Sequence, residues 1–213
     1  MKWLFQTLWS SVGKKLMMAV TGIGFLLFLS AHLIGNLTIY GGSEAFNGYA
    51  ERLHSLGALL TVFNLGLIVF AVIHISTGLV LFVQNLKARP KRYHRDQPAG
   101  GRTWSSVTMP YTGFLILSFV IFHLINFTFV DKSNFTIYEI VSSAFASPLY
   151  VAIYIFAVII VALHVRHGLW SAFQTIGANH PKYMPAMMIA SVLFGLVVGI
   201  GFGVLPIYIL AIS

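Results

Sequence analysis

The chain has 213 residues, of which 58% are hydrophobic and only 8% are Asp, Glu, Lys or Arg. A soluble domain is about 25% charged, so this composition excludes an ordinary soluble protein, a disordered tail and a nucleic-acid-binding protein. The net charge of +8 indicates membrane orientation rather than phosphate binding in so apolar a chain. The lack of cysteine excludes disulfides, iron–sulfur ligation and thiol catalysis.

Five apolar segments are long enough to cross a bilayer, which takes about 20 helical residues. In chain order they cover residues 16–39, 57–86, 107–130, 148–173 and 184–212. A backbone in lipid must satisfy its own hydrogen bonds, and each segment is too long and too evenly apolar for a barrel strand. We therefore predict an all-α, multi-pass membrane protein that forms a single membrane domain over residues 1–213.

Basic residues are concentrated on one side of this predicted topology. Eleven of the 13 Lys and Arg residues lie before the first segment, in the loop 87–106 or around the fourth connection, whereas only Arg52 and Lys132 lie on the other side. Cytoplasmic loops carry the excess of Lys and Arg, so the N-terminus is predicted to be cytoplasmic and the C-terminus outside. The basic loop 87–106 is suited to bind a cytosolic partner or anionic lipid head groups.

Two different motifs recur in order along the chain. A Thr-Gly pair followed ten residues later by His occurs in the first and third segments, and a His followed four residues later by Gly-Leu occurs in the second and fourth. The residues concerned are Thr21, Gly22, His32, His74, Gly78, Thr112, Gly113, His123, His164 and Gly168. Segments 1–2 and 3–4 therefore resemble two copies of one helical hairpin.

Sequence position predicts the depth of each histidine, at about 1.5 Å per helical residue. His32 and His123 lie about 24 Å from the cytoplasmic ends of their helices, and His74 and His164 lie about 14–18 Å from theirs. We expect an outer pair, His32 with His123, and an inner pair, His74 with His164.

Paired imidazoles at one depth are suited to the axial ligation of a haem iron. Gly78 and Gly168, one helical turn from their histidines, would let a flat macrocycle approach the backbone. Haem c is excluded because there is no Cys-x-x-Cys-His motif, and two axial histidines leave no open iron site, so such haems would carry electrons. A non-haem metal is the alternative, but such sites usually recruit carboxylates, and all five acidic residues lie in connections.

The other histidines have simpler interpretations. His167, three residues after His164, is an alternative ligand, although it breaks the match to His74. His54, His94 and His180 lie at interfaces or in loops and are interpreted as surface residues.

These motifs, together with Ser11-x-Gly13-Lys14-Lys15 before Thr21, resemble one known family. The sequence is similar to the cytochrome b membrane-anchor subunits of succinate:quinone oxidoreductases (succinate dehydrogenase and fumarate reductase), in particular the single-chain dihaem type known as the b558 family. The resemblance implies that helices 1–4 form a dihaem four-helix bundle with a peripheral fifth helix. It also implies two b haems, one ligated by His74 and His164 near the cytoplasm and one by His32 and His123 near the outer face.

The resemblance further implies a place in a bacterial cytoplasmic membrane, in the respiratory chain and the tricarboxylic acid cycle. A cytoplasmic flavoprotein would carry the succinate or fumarate site, and an iron–sulfur subunit would connect it to the inner haem. A quinone, usually menaquinone in this type, would react near the outer haem. This chain would then be the haem and quinone subunit of a multi-subunit oxidoreductase.

Two further groups of residues are assigned from their positions. Glu51, Arg52 and His54, just before the second segment on the outer side, are candidates for the quinone site, with Glu51 as proton acceptor, or are interfacial polar residues. The second group lies toward the cytoplasm and could pair with haem propionates or anchor the protein at the interface: Lys14, Lys15, Arg166 and His167.

Two other functions remain open. The chain could be the dihaem cytochrome b anchor of a hydrogenase or a formate dehydrogenase. It could also be a histidine-rich transporter, although its repeat is parallel rather than inverted and the predicted spans lack carboxylates.

Overall fold

The computed structural model describes residues 2–88, 104–178 and 180–213. Within these ranges every regular element is helical. The elements are α1 (Lys2–Trp9), α2 (Ser11–Leu37), a 3₁₀ turn (Thr38–Gly41), α3 (Gly42–His54), α4 (Ala58–Lys87), α5 (Trp104–His123), a π-helical turn (Leu124–Thr128), α6 (Ile137–Phe145), α7 (Pro148–Thr175) and α8 (Met184–Ile212). Most of the basic loop 87–106, including His94, lies outside the described residues.

Among the described residues, five helices are long and apolar enough to cross a membrane, as the sequence predicts. They are α2, α4, α5 with its π turn, α7 and α8. Large apolar side chains on them face outward; Leu27 is 70% exposed and Leu59 is 64% exposed. In water so large an exposed apolar surface would favour aggregation, whereas in a bilayer apolar side chains face the lipid. For the part of the chain that the structure describes, the prediction of a helical protein with five candidate membrane spans is confirmed.

Local sequence signals explain where several helices begin and end. The Ser10 side chain accepts a hydrogen bond from the backbone N–H of Gly13 at 3.0 Å, which caps α2; such a cap contributes about 1 kcal/mol. Pro148 occupies the first turn of α7, where no backbone donor is lost. Gly177, with a φ of 86°, follows the end of that helix in a conformation that favours glycine.

Two short helices, α3 and α6, occupy connections that the sequence analysis left without structure. The backbone N–H of Tyr138 in α6 donates to Asn47 Oδ1 in α3 at 3.0 Å, and the Phe46 and Tyr138 rings are in contact. Residues from this end of the molecule form a buried apolar core: Leu33, Ile39, Phe46, Phe145, Val151, Tyr154, Leu205 and Ile209. The two short helices therefore close one end of the helical assembly.

The long helices contact one another in a defined order. Helix α2 packs against α4 and α7, and α5 packs against α7 and, over a shorter stretch, α4. Helix α8 packs against α7 and α2, and a Cβ at Gly195 or Gly199 would approach Ala162 of α7 within about 3 Å. Small residues allow this close approach, which membrane helices use in place of the hydrophobic effect. The four helices that carry the histidine motifs thus neighbour one another in the order α2, α4, α5, α7, with α7 returning to α2.

Candidate histidine site

Each histidine of the inner pair contacts a hydroxyl group on a neighbouring helix. Thr21 Oγ1 of α2 lies 2.9 Å from His74 Nδ1 of α4, and Thr112 Oγ1 of α5 lies 2.9 Å from His164 Nδ1 of α7. Each contact joins the two helices of one repeated hairpin. The Thr of each Thr-Gly motif therefore contacts the histidine of its partner helix.

The adjacent glycines lie along the same imidazoles. A Cβ at Gly22 would be 3.7 Å from His74 Cε1, and a Cβ at Gly113 would be 3.5 Å from His164 Cε1. Each Thr-Gly motif therefore lies directly against the inner histidine of its partner helix.

The outer pair is in direct ring contact. The ring centroids of His32 and His123 are 5.9 Å apart, and their planes are nearly perpendicular at 86°. The hydroxyl of Tyr154 lies 3.1 Å from His123 Nδ1. The Asn36 side chain donates to the backbone carbonyl of His32 at 2.8 Å, while its amide nitrogen is 3.5 Å from the ring nitrogens, too far for a good hydrogen bond.

Aromatic side chains surround the outer pair. Phe28 stacks on His32 with a centroid distance of 5.4 Å, and Phe202 of α8 lies 5.6 Å from the same ring. Phe119 and Phe127 lie 6.0 and 5.3 Å from the His123 ring. These rings make the surroundings of the outer pair apolar, which suits a neutral imidazole and an apolar macrocycle.

The residues present fit a haem group by three observations. An imidazole nitrogen lies about 2.0–2.1 Å from the metal it binds, so two imidazoles on opposite sides of one metal have centroids about 6 Å apart, close to the value for His32 and His123. The Nδ1 atoms of His74 and His164 are engaged by hydroxyls, so the Nε2 atoms are the ones available to a metal. Within the described ranges no group of three or more His, Cys, Asp or Glu residues is placed to hold a metal ion, so the larger ligand sets of free metal ions do not occur there.

The glycines one turn after the inner histidines differ in their surroundings. A Cβ at Gly168 would meet nothing within 4 Å, so the backbone beside it is open. A Cβ at Gly78 would be 3.7 Å from the flexible end of Met18. Neither position is closed by backbone, and Met is an adaptable side chain that yields readily.

The four residues predicted to contact haem propionates differ in their exposure to solvent. Lys14 is buried, with 6% of its surface exposed, and its Nζ donates to Gln84 Oε1 at 2.7 Å. Lys15 and Arg166 are exposed, and His167 is half-buried. Of the four, Lys14 is the cation removed from solvent.

The three residues predicted for a quinone site lie on the surface of the molecule. Glu51, Arg52 and His54 are all exposed on the last turns of α3. Arg52 Nε donates to the carbonyl of Gly48 at 3.1 Å, and His54 Nδ1 lies 2.7 Å from the carbonyl of Ala50, so both side chains fold back on their own helix.

A cleft of about 700 Å³ lies nearby at the α6 end, and the sequence analysis missed it. It is lined by Val130, Asp131, Phe135, Tyr138, Glu139, Ile140, Ser142 and Ser143. Hydrogen bonds from the backbone and hydroxyl of Ser133 lower the pKa of Asp131, and those from Thr136 lower the pKa of Glu139. Both carboxylates are therefore ionised at neutral pH.

Other contacts of the histidines were also missed. The Thr-Gly motif was recognised as a repeat, but its hydroxyl was given no role. Tyr154 lies ten residues before His164 on the same helix. At about 1.5 Å per residue this spacing places Tyr154 about 15 Å from the depth of the inner pair, so its position toward the outer pair could have been predicted. Phe202 lies on a helix outside the repeat, so no sequence pattern connected it to His32.

Comparison with known proteins places the chain beside one curated relative. It is 25% identical over 152 residues to the succinate dehydrogenase cytochrome b558 subunit of Bacillus subtilis (strain 168), which covers 71% of this chain and 72% of the relative. The chain is related to the succinate dehydrogenase cytochrome b558 subunits. The family resemblance stated from the motifs is thereby confirmed. No family model matches the chain, and no solved structure matches it.

Proposed function

We propose that this chain is the cytochrome b membrane-anchor subunit of a succinate:quinone oxidoreductase. Its four central helices would form a bundle in which His32 and His123 ligate an outer b haem, and His74 and His164 ligate an inner one. The observation that carries the proposal is the pairing of imidazoles from different helices, with the ring centroids of His32 and His123 5.9 Å apart. The name of the Bacillus subtilis relative supports the same assignment.

The bound haems would supply one-electron transfer across the membrane interior. The protein's part is to fix the imidazoles, to exclude water with the phenylalanines around the outer pair, and to leave room near Gly78 and Gly168. Buried Lys14 is the favoured partner for an inner haem propionate, because two of its three ammonium protons remain for further acceptors. Lys15, Arg166 and His167 are secondary candidates for such contacts.

The proposed topology has the N-terminus in the cytoplasm and the C-terminus outside, since Lys and Arg are concentrated in the connections on the N-terminal side. A flavoprotein subunit and an iron–sulfur subunit would bind on that side, close to the inner pair, and the succinate or fumarate site would belong to the flavoprotein. The complex would be located in a bacterial cytoplasmic membrane.

We place the quinone reaction, with menaquinone as the favoured substrate, at the opposite end, near α3 and α6. Two sets of polar groups lie there: the exposed Glu51, Arg52 and His54, and the cleft that contains Asp131 and Glu139. Kinetics of the complex with a soluble quinone would separate them. A raised KM for quinone in Glu51→Gln assigns the first set, and a raised KM in Glu139→Gln assigns the cleft.

The decisive experiment measures haem in single histidine variants. The purified protein should contain about two haems per chain and give a b-type spectrum on reduction with dithionite. His32→Ala, His74→Ala, His123→Ala and His164→Ala should each lose haem, whereas His54→Ala, an exposed histidine on α3, should keep the full complement. Full haem content in all four variants would overturn the proposal.

Partners are tested by purification in mild detergent. A flavoprotein and an iron–sulfur protein should co-purify and oxidise succinate with a quinone acceptor. Co-purification of a hydrogenase or a formate dehydrogenase would contradict the assignment and favour the other type of dihaem anchor.

A further inference from the structure

We propose that Thr21 and Thr112 are positioning residues that fix the tautomer and ring orientation of the inner histidines. The inference rests on the proposed haem ligation by His74 and His164. It goes beyond that ligation because it concerns the residues that prepare the imidazoles for it.

The single hydroxyl proton of Thr21 determines the direction of its hydrogen bond with His74. A threonine hydroxyl has one proton, and Thr21 Oγ1 lies 2.7 Å from the carbonyl oxygen of Met17, to which it can only donate. The 2.9 Å contact with His74 must then be a hydrogen bond from Nδ1–H to Oγ1. The neutral imidazole consequently keeps its lone pair on Nε2, the atom that a metal requires.

The second repeat contains the same arrangement. Thr112 Oγ1 lies 3.0 Å from the carbonyl oxygen of Met109 and 3.2 Å from that of Thr108, so its proton is directed to the backbone of α5. Thr112 Oγ1 therefore accepts a hydrogen bond from the Nδ1–H of His164, 2.9 Å away. Two copies of the arrangement at matching distances indicate a shared role rather than a chance contact.

The glycine of each motif completes the arrangement. Gly22 and Gly113 lie next to the Cε1 edge of the imidazole, where a Cβ would already be in van der Waals contact. Thr and Gly together therefore hold the Nδ1–Cε1 edge of the imidazole against the neighbouring helix.

The outer pair lacks this device. His123 Nδ1 is near the phenol of Tyr154, and the Asn36 amide nitrogen lies 3.5 Å from the ring nitrogens of His32. Threonine positioning is thus particular to the inner pair, and its loss should affect the inner haem alone. A partner that accepts a hydrogen bond from Nδ1–H makes the imidazole a more basic ligand. Removal of such partners typically lowers metal affinity or activity 10–100-fold.

The test compares Thr21→Val and Thr112→Val, which keep the shape and remove the hydroxyl, with Thr21→Ser and Thr112→Ser, which keep it. Thr175→Val is the matched control, because Thr175 Oγ1 also bonds its own helix at 2.8 Å but contacts no histidine. Haem content, the redox titration of each haem and the low-spin ferric EPR signal are measured in the purified holoprotein.

We expect each Val variant to favour the reduced inner haem by about tenfold, which is about 59 mV for a one-electron couple. The outer haem should be unchanged, and the Ser variants should restore the wild-type values. If a Val variant binds no inner haem while the matching Ser variant does, the proposal is also supported.

Two results would overturn the inference without touching the proposed function. One is a normal inner-haem potential and EPR signal in both Val variants. The other is an equal defect in the Ser and Val variants, which would assign the effect to packing of the methyl group. A wild-type protein without haem would instead refute the proposed function itself.

Discussion

The hydroxyl of Tyr154 lies 3.1 Å from Nδ1 of His123, and the tyrosine itself is buried on α7. One turn earlier on the same helix, the hydroxyl of Tyr150 donates to Asn126 Oδ1 at 2.9 Å. These two tyrosines form a natural pair for comparison, because only one of them contacts a histidine ring.

Tyr154→Phe should alter the outer haem and leave the inner one unchanged. Haem ligation through Nε2 of His123 would leave the ring proton on Nδ1, so loss of the phenol would leave that N–H buried without its acceptor, which costs about 1–3 kcal/mol and weakens the ligand. A redox titration should show the outer haem easier to reduce. Tyr150→Phe should reduce stability without moving either haem potential, and equal shifts in both variants would argue against a specific Tyr154–His123 hydrogen bond.

The buried Lys14 and its partner Gln84 should respond unequally to substitution. Gln84→Leu leaves the Lys14 ammonium buried without its acceptor and should destabilise the protein by about 1.5–3 kcal/mol. Lys14→Met removes the charge and frees only the exposed amide of Gln84, so its cost should be under about 1 kcal/mol. Thermal unfolding of the haem-free protein in detergent measures the stability of both variants. A larger loss of stability in Lys14→Met than in Gln84→Leu would contradict the prediction.

Gly13→Ala should destabilise the junction between α1 and α2. A Cβ at Gly13 would clash with the carbonyl oxygen of Thr7 and lie 2.7 Å from that of Leu8, and backbone atoms cannot move aside as side chains can. The expected loss in the free energy of unfolding is about 1–3 kcal/mol. Faster hydrogen exchange of the α1 amides in the variant than in the wild type would show this loss.

Gly66→Ala on α4 is the control for this substitution. A Cβ there meets nothing within 4 Å, so the variant should be as stable as the wild type or more so. Equal behaviour of the two variants would mean that the α1–α2 corner is not closely packed.

The start of α6 should become less stable in acid. Hydrogen bonds from the backbone N–H and the hydroxyl of Thr136 lower the pKa of Glu139 below its ordinary value of 4.5. A lowered carboxylate pKa stabilises the folded helix above the ordinary value, and this stabilisation is lost as the pH falls through the folded-state pKa.

Hydrogen exchange of the α6 amides across this pH range tests the prediction. Their protection should decrease on acidification in the wild type, whereas Glu139→Gln, which does not titrate, should remove that pH dependence. An identical pH profile in the two proteins would show that the Thr136–Glu139 capping box does not control this helix.

The amino-acid sequence by itself determined the membrane-spanning architecture. Lipid offers the backbone no hydrogen bonds, so long apolar segments must be helical, and the five spans follow from hydropathy alone. The repeated motifs also predicted the two histidine pairs, because residues per turn and rise convert spacing into depth. The family resemblance was carried by the same residues.

Only the tertiary structure decided which side chains meet. Hydropathy does not specify how a helix is rotated about its axis or which small residues let a neighbour approach, so Thr21 could not be assigned to His74, nor Phe202 to His32. The short helices α3 and α6 escaped notice because their few turns are stabilised by contacts with each other and with the spans rather than by a long apolar run. Lys14 is buried and Glu51 exposed for the same reason: packing, not composition, determines which polar groups water can reach.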